Sequence, residues 1–392
     1  MKNNNSLNFL VTGTWQLGLY LALGCSLVSC NTNQKETTGN ATATTADSLA
    51  STADSSRTAA LNLVPKEPKP TWAPEITPPM QVVLEQLASY KTPPLPTLSA
   101  PEARQQPSPT TAVLDVMQKN NIPMPPAPVD TTGKSIPVAG GSIHARVYTP
   151  KSGAGPFPVI VYYHGGGWVI ANLDTYNASA QGLAEQVGAV VVSVAYRQAP
   201  EHKFPTAHND SYAAYQWVLK NAASLQGDPK RVAVVGESAG GNLAAAVSMM
   251  AKQKGAMVPL YQVLVYPIAG SDTQTKSYQQ YASAKPLDKP LMEWFFKQYL
   301  RSPADGNNPM ITLTKAPDLK SMPPTTIINA QLDPLLSEGE MLADKLKTAG
   351  VAVNQKTFSG VTHEFFGMAT VLPEAKEAQA MAAADLKKAF TK

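Results

Sequence analysis

Arg231-Val-Ala-Val-Val235, followed directly by Gly236-Glu237-Ser238-Ala239-Gly240-Gly241, is the stretch that decides the fold. Its first five residues read as a buried strand. Gly240 to Met249, small and apolar, reads as a helix. Between them lies a G-x-S-x-G pentapeptide centred on Ser238. A tight turn between a buried strand and a helix lifts a serine hydroxyl out of the sheet, and the helix N-terminus favours negative charge beside it. The context, more than the five letters, predicts a serine nucleophile on an α/β scaffold.

The same rhythm extends outward from this turn. Ile143 to Tyr148 reads as a strand by alternation. Val159–Tyr163, Ala189–Ala195, Val263–Tyr266 and Thr326–Asn329 read as strands buried on both faces. Helical stretches lie at Ala178–Val187, Ser211–Asn221, Gly240–Ala251 and Glu338–Ala349. Alternation of this kind implies an α/β fold with a mostly parallel, doubly wound sheet flanked by helices. The catalytic body is assigned to 131–392, beginning near Ser135.

Residues 272–310 interrupt the rhythm and contain Leu291-Met-Glu-Trp-Phe-Phe-Lys-Gln-Tyr299. An insertion after the carboxyl end of a strand sits over the ligand-binding edge of such a sheet, so this segment is read as part of a helical cap. The other part is expected over 65–130, where recurring prolines keep helices short. Met80, Val83, Leu84 and Leu87 repeat at i, i+3, i+4, i+7, and Val113, Val116 and Met117 follow the same pattern in part.

The chain has 392 residues, 43% hydrophobic and 15% charged, enough for one large domain with appendages and too apolar for full disorder. A formal charge of +4 is too weak and too scattered to argue for nucleic acid. Both cysteines, Cys25 and Cys30, precede residue 31. The body therefore has no disulfide framework and no thiolate metal site. No metal or cofactor is expected.

Lys2 is followed by a stretch from Leu7 to Cys30 without a charged residue. It reads as a secretory leader over 1–29. Leu27-Val-Ser-Cys30 resembles the bacterial lipobox, which implies Cys30 as an acylated first residue and a lipid bilayer as a partner. Cys25, in Ala22-Leu-Gly-Cys25, fits less well. An ordinary cleaved signal and an uncleaved anchor are the competing readings. Asn31 is not the aspartate associated with inner-membrane retention, so the expected location is the cell envelope, at the outer membrane or cell surface. Residues 30–64, mostly Thr, Ser, Ala, Asn and Gly, read as a flexible tether with a reach of roughly 30–35 Å.

A serine hydroxyl needs a histidine to take its proton and an acid to orient that histidine. Of His144, His164, His202, His208 and His363, only His363 follows Ser238 in the chain, as the order Ser, acid, His requires. Asp333 directly follows the strand-like Thr326–Leu332 and is the expected acid. Asp318 lies in a Pro-rich loop, Asp344 inside a helix, and Glu338 on an opening helical turn, where it reads as a helix-start charge. The oxyanion of the tetrahedral intermediate needs fixed donors. The N–H of Ala239 is one, and His164-Gly165-Gly166-Gly167-Trp168, after Val159–Tyr163, stands where the others are required. Losing one such donor costs about 3–4 kcal/mol of transition-state stabilisation. His164 is expected to brace that loop.

From about Pro78 to Lys392 the chain resembles the bacterial hormone-sensitive-lipase-like esterases. The resemblance rests on His164-Gly-Gly-Gly-Trp168, Tyr196-Arg-Gln-Ala-Pro-Glu-His202 with Phe204-Pro205, Gly236-Glu-Ser-Ala-Gly-Gly241, Asp333-Pro-Leu335 with Glu338-Gly339, and His363-Glu-Phe365. It implies an α/β-hydrolase with a two-part helical cap and carboxylesterase activity on short to medium acyl chains, without a cofactor. It also implies a triad of Ser238, Asp333 and His363, with Gly166, Gly167 and Ala239 as oxyanion donors and Gly165 in support. Gln198 departs from a usual leucine, and Leu336-Ser337 from a usual Arg-Asp pair.

Trp168, Tyr196, Glu237 and the cap aromatics Trp294, Phe295 and Phe296 are candidates to line the pocket for a small-molecule ester. An amidase or peptidase on the same triad, a long-chain lipase, and a non-catalytic surface-binding lipoprotein are the alternatives. An exposed strand near the sheet edge could pair two copies as a homodimer.

Overall fold

The structure, a computed structural model, describes residues 62–391. The expected leader over 1–29, Cys30 and all but the last residues of the 30–64 tether lie outside the described residues. Eight strands form one sheet: β1 (Val129–Val138), β2 (Gly141–Pro150), β3 (Phe157–Tyr163), β4 (Val190–Ala195), β5 (Gly227–Glu237), β6 (Gln262–Val265), β7 (Thr325–Leu332) and β8 (Val353–Thr362). Their spatial order is β1-β2-β4-β3-β5-β6-β7-β8. β2 runs antiparallel to both β1 and β4, and the pairs from β4 to β8 are parallel.

The helices are α1 (Pro78–Ser89), α2 (Ala100–Ala103), α3 (Pro109–Lys119), α4 (Asn177–Val187), α5 (Thr206–Asn221), α6 (Ala239–Gln253), α7 (Lys276–Gln280), α8 (Lys289–Tyr299), α9 (Leu336–Thr348) and α10 (Pro373–Phe390). They cover both sheet faces, which is why the central strands are almost uniformly apolar. Alternate residues of each strand go to separate cores. Val159, Val161, Val192 and Val234 pack with α5, α6 and α9, while Ile160, Tyr162, Val191 and Val235 pack with α4 and α10. Fully burying a side chain of this size contributes about 1.5–3 kcal/mol.

The chain runs from β3 to β4 on one side, then returns to β5 on the other. A reversal of strand order opens a crevice at the carboxyl ends of the strands. Register fixes what reaches it. Tyr163 of β3 is level with Gly236 of β5, so the segments starting at His164 and Ser238 emerge together. Leu332 of β7 is level with Thr362 of β8, so Asp333 and His363 also emerge together.

Two elements differ from expectation. β1 straddles the 130/131 boundary as an edge strand with little burial. Asp130-Thr-Thr-Gly-Lys-Ser135 has no apolar alternation, and its backbone ladder to β2 holds it in place. α10 presents Ala375, Ala378, Ala382 and Leu386 to the core, a stripe too small in side-chain volume to stand out in the sequence.

α1 and α3 pack together through Met80, Val83, Val113 and Val116. Pro109 at the first turn of α3, with Ser108 accepting from the Thr111 N–H at 3.2 Å, starts that helix. The Thr77 N–H donates to the Gly360 carbonyl at 2.9 Å, joining the start of α1 to β8. Within 272–310, Asp288 caps α8 by accepting from the Leu291 N–H at 2.8 Å. α8 also touches the turn Leu95–Thr97, so the two segments expected to form the cap meet. Among the described residues no helix is long and apolar enough to cross a membrane.

Candidate active site

Ser238 sits between β5 and α6 with φ +56° and ψ −119°, a left-handed conformation that costs a non-glycine residue energy. Its neighbours hold it there. A Cβ on Gly240 would lie 2.0 Å from the Tyr163 carbonyl oxygen, so only glycine lets α6 close onto β3. The Ser238 N–H donates to the Val265 carbonyl at 2.9 Å, and the Ser238 carbonyl accepts from the Ile268 N–H at 3.2 Å.

His363 Nε2 lies 2.9 Å from Ser238 Oγ, and His363 Nδ1 lies 2.6 Å from Asp333 Oδ2. The other Asp333 oxygen accepts from the Leu335 N–H at 2.9 Å, which orients the carboxylate. All three side chains are buried. The Tyr266 ring backs the imidazole at 4.5 Å. Burial alone would push the His363 pKa down. The Asp333 carboxylate, aided by Glu364 and Glu237, outweighs it, and the net shift is upward. An imidazole held in this way is a competent acceptor for the serine proton.

Gly166 and Gly167, at φ +93° and +58°, carry the loop after β3 past Ser238. A Cβ on Gly167 would lie 2.2 Å from the Phe295 ring. Among the described residues, the N–H groups of Gly166, Gly167 and Ala239 have no protein acceptor. Gly165 is set back. Its carbonyl faces His164 Nδ1 at 2.8 Å and accepts from the Tyr196 hydroxyl at 3.2 Å. His164 stacks on Tyr196 at 4.4 Å, and burial lowers its pKa to about 4, so it braces the loop as a neutral ring.

A cavity of about 120 Å³ opens onto Ser238 and His363. Gly166, Gly167, Ile170, Leu287, Leu291 and Phe295 are among its apolar lining residues, and Arg104, Asn172, Tyr176 and Glu364 among its polar ones. Trp168, Tyr196, Glu237 and Trp294 are not among the lining residues, which corrects the expected pocket. Trp168 is stacked on Tyr299 at 4.6 Å beneath α8. The Tyr196 hydroxyl is committed to the His164 carbonyl at 2.8 Å. Glu237 lies below the nucleophile, accepting from the hydroxyls of Tyr162 and Tyr266, with its pKa raised to about 7 chiefly by burial. Trp294 packs against Phe295, and of this pair Phe295 faces the cavity. Helix phase decides that difference, and composition does not reveal it. Tyr176 and Glu364 carried no signal beyond the adjacency of Glu364 to His363.

Residues 160–367 match the protein family described as alpha/beta hydrolase fold. The chain belongs to this family of carboxylic ester hydrolases. It is 40% identical over 251 residues to the carboxylesterase NlhH of Mycobacterium tuberculosis, covering 63% of this chain and 79% of that one. It is 32% identical to an ethyl acetate hydrolase of Pseudomonas putida, covering 79% and 96%. The hyperthermophilic esterase of Pyrobaculum calidifontis superposes with a TM-score of 0.72 at 38% identity, covering 80% of this chain and 98% of that chain.

Within this esterase, the departures noted in the sequence acquire structural partners. Gln198 Nε2 donates to the carbonyls of Ile170 and Ala171 at 2.7 and 3.0 Å, tying down the far end of the Gly-rich loop. Ser337 and Ser277 exchange hydrogen bonds, each N–H donating to the other's hydroxyl oxygen at 3.0–3.1 Å. The Ser277 hydroxyl then donates to the Pro334 carbonyl at 2.6 Å, so α7 grips the loop that carries Asp333. Glu338 lies in the first turn of α9, as its sequence position implied. It is buried, accepts from the Ala269 N–H at 2.8 Å, and has its pKa raised well up by burial.

Proposed function

We propose that this carboxylesterase is a serine esterase that cleaves short- to medium-chain esters through an acyl-enzyme. The carrying observation is the continuous chain Ser238–His363–Asp333, at 2.9 and 2.6 Å, opening onto a cavity lined by Gly166 and Gly167, whose N–H groups, with that of Ala239 next to the nucleophile, have no protein acceptor among the described residues. His363 takes the proton as Ser238 Oγ attacks the ester carbonyl, and the N–H groups of Gly166, Gly167 and Ala239 receive the developing oxyanion. His363 returns the proton to the leaving alcohol. Water, deprotonated by the same imidazole, then releases the acid. The small cavity, about 120 Å³, with Leu287, Leu291 and Phe295 in its lining, favours short acyl groups, and one relative is named for ethyl acetate.

The enzyme works at the cell envelope, tethered through an acylated Cys30. The support is the uncharged run ending in Leu27-Val-Ser-Cys30 and the Ser/Thr-rich segment after it. The alternately exposed edge strand β8 is the surface on which two copies could pair.

Hydrolysis of a chromogenic short-chain ester tests the chemistry. It should vanish in Ser238→Ala together with fluorophosphonate labelling, and persistence of both would refute the mechanism. Fractionation of Cys30→Ala tests the anchor. The variant should move from membrane to soluble fraction and take up no labelled fatty acid.

A further inference from the structure

The cavity beside Ser238 is electrically lopsided. Its lining holds one guanidinium, one imidazole and one carboxyl group: Arg104, His363 and Glu364. Arg104 is neutralised from behind by both oxygens of Glu201, at 2.7 and 2.9 Å. His363 is paired with Asp333 at 2.6 Å. Glu364 has a hydroxyl for a partner instead: Tyr176 donates to its Oε1 at 2.5 Å. Among the described residues its Oε2 accepts no hydrogen bond. The same Oε1 lies 3.9 Å from His363 Nε2, the nitrogen that faces the nucleophile. Glu364 also holds a left-handed backbone conformation, φ +71°, directly after the catalytic histidine. Such a position costs a glutamate energy, and strain of this kind concentrates at functional sites.

A carboxylate in this place acts on whatever enters. In a partly desolvated cavity one fixed charge strongly discriminates between ligands of opposite sign, because solvent screening is weak. Resting on the esterase reading above, we infer that Glu364 selects substrates by charge: the cavity takes neutral or cationic esters and rejects those bearing a carboxylate or phosphate. Burial raises the Glu364 carboxyl above its ordinary range, while the neighbouring His363 and the Tyr176 hydroxyl pull it back. The selection therefore strengthens as pH rises and the carboxyl ionises.

Two ester series test this at mildly alkaline pH. In the first, the charge is on the acyl half: p-nitrophenyl butyrate, p-nitrophenyl hemisuccinate and the trimethylammonium analogue of the butyrate. In the second, it is on the alcohol half: choline butyrate and its neutral carbon isostere. The readout is the ratio of kcat/KM for charged to neutral ester, which cancels any general loss of folded enzyme. In at least one series, Glu364→Gln should raise the anionic ratio or lower the cationic ratio by about tenfold or more. Glu364→Asp, which keeps the charge, should retain the wild-type preference. If Glu364→Gln leaves the ratios of both series unchanged, or if Glu364→Asp alters them as much as the glutamine does, the charge assignment is wrong. A wild-type enzyme inert towards the neutral esters would instead overturn the esterase mechanism, so the two failures are distinguishable.

Discussion

Asp333 and His363 leave neighbouring strands at one level of the sheet, whereas Arg104 and Ser277, which fasten the two cap segments, sit just after a helix of four residues and on a helix of five. The first pair is placed by backbone ladders that run through the core. The second is placed by side chains. Arg104 donates to the Val169 and Ala199 carbonyls at 2.8 and 2.7 Å and forks onto Glu201, and Ser277 clasps Ser337. The triad thus rests on strand register, while Arg104 and Ser277 hold their segments through side-chain hydrogen bonds. Regions held in the second way are the ones that open locally at low cost.

The hardest blow to the ladder-held region is Asp333→Asn. Loss of the orienting carboxylate should lower kcat by about 10⁴-fold. The rising limb of the pH–rate profile should move to lower pH, because His363 must be neutral to accept the proton and the charge holding its pKa up is gone. A kcat within tenfold of wild type would assign the orienting role elsewhere.

Gly167→Ala probes the seam between the regions. The new methyl meets the Phe295 ring, and the backbone is left-handed there. Transition-state stabilisation should fall by about 10²–10³-fold. The double variant with Phe295→Ala should recover part of it if the clash, rather than the backbone, dominates.

Arg104→Ala attacks the cap alone. Unpairing two carbonyls should cost about 1–3 kcal/mol in urea unfolding and change acyl-chain preference, with fluorophosphonate labelling of Ser238 retained. Lysine should not rescue it, since an ammonium cannot reproduce the fork.

The smallest effect is expected at Glu237. Its folded pKa, about 7, stands above its unfolded value near 4.5. The stability that its protonated form contributes is full below pH 4.5 and is lost as pH rises through 7. Glu237→Gln lacks this loss, so its melting temperature should gain on wild type by a few degrees across that interval.

The same contrast explains what could be read from the chain. β3, β4, β5 and β7 announce themselves because helices on both faces demand unbroken Val and Ile. Once they are placed, Ser238, Asp333 and His363 follow from where each strand ends. β1 was not legible, since an exposed edge strand needs only its ladder. The cavity wall was not legible either. Whether Phe295 or Trp294 faces the substrate depends on the phase of α8. Trp168, the most conspicuous aromatic near the Gly-rich loop, is spent on stacking with Tyr299. Arg104 meets Glu201 across 97 residues, and no local pattern predicts such a pairing.

The reciprocal bond between Ser277 and Ser337 has a practical corollary for anyone reshaping this enzyme. Exchanging the 272–310 insertion for a homologous one, the obvious route to a new acyl preference, would also exchange the hydroxyl that steadies the acid loop. A graft that keeps its own residue at 277 against the host's Ser337 would look like a failed pocket when the fault lay in the triad. The portable unit is the insertion together with Pro334–Ser337.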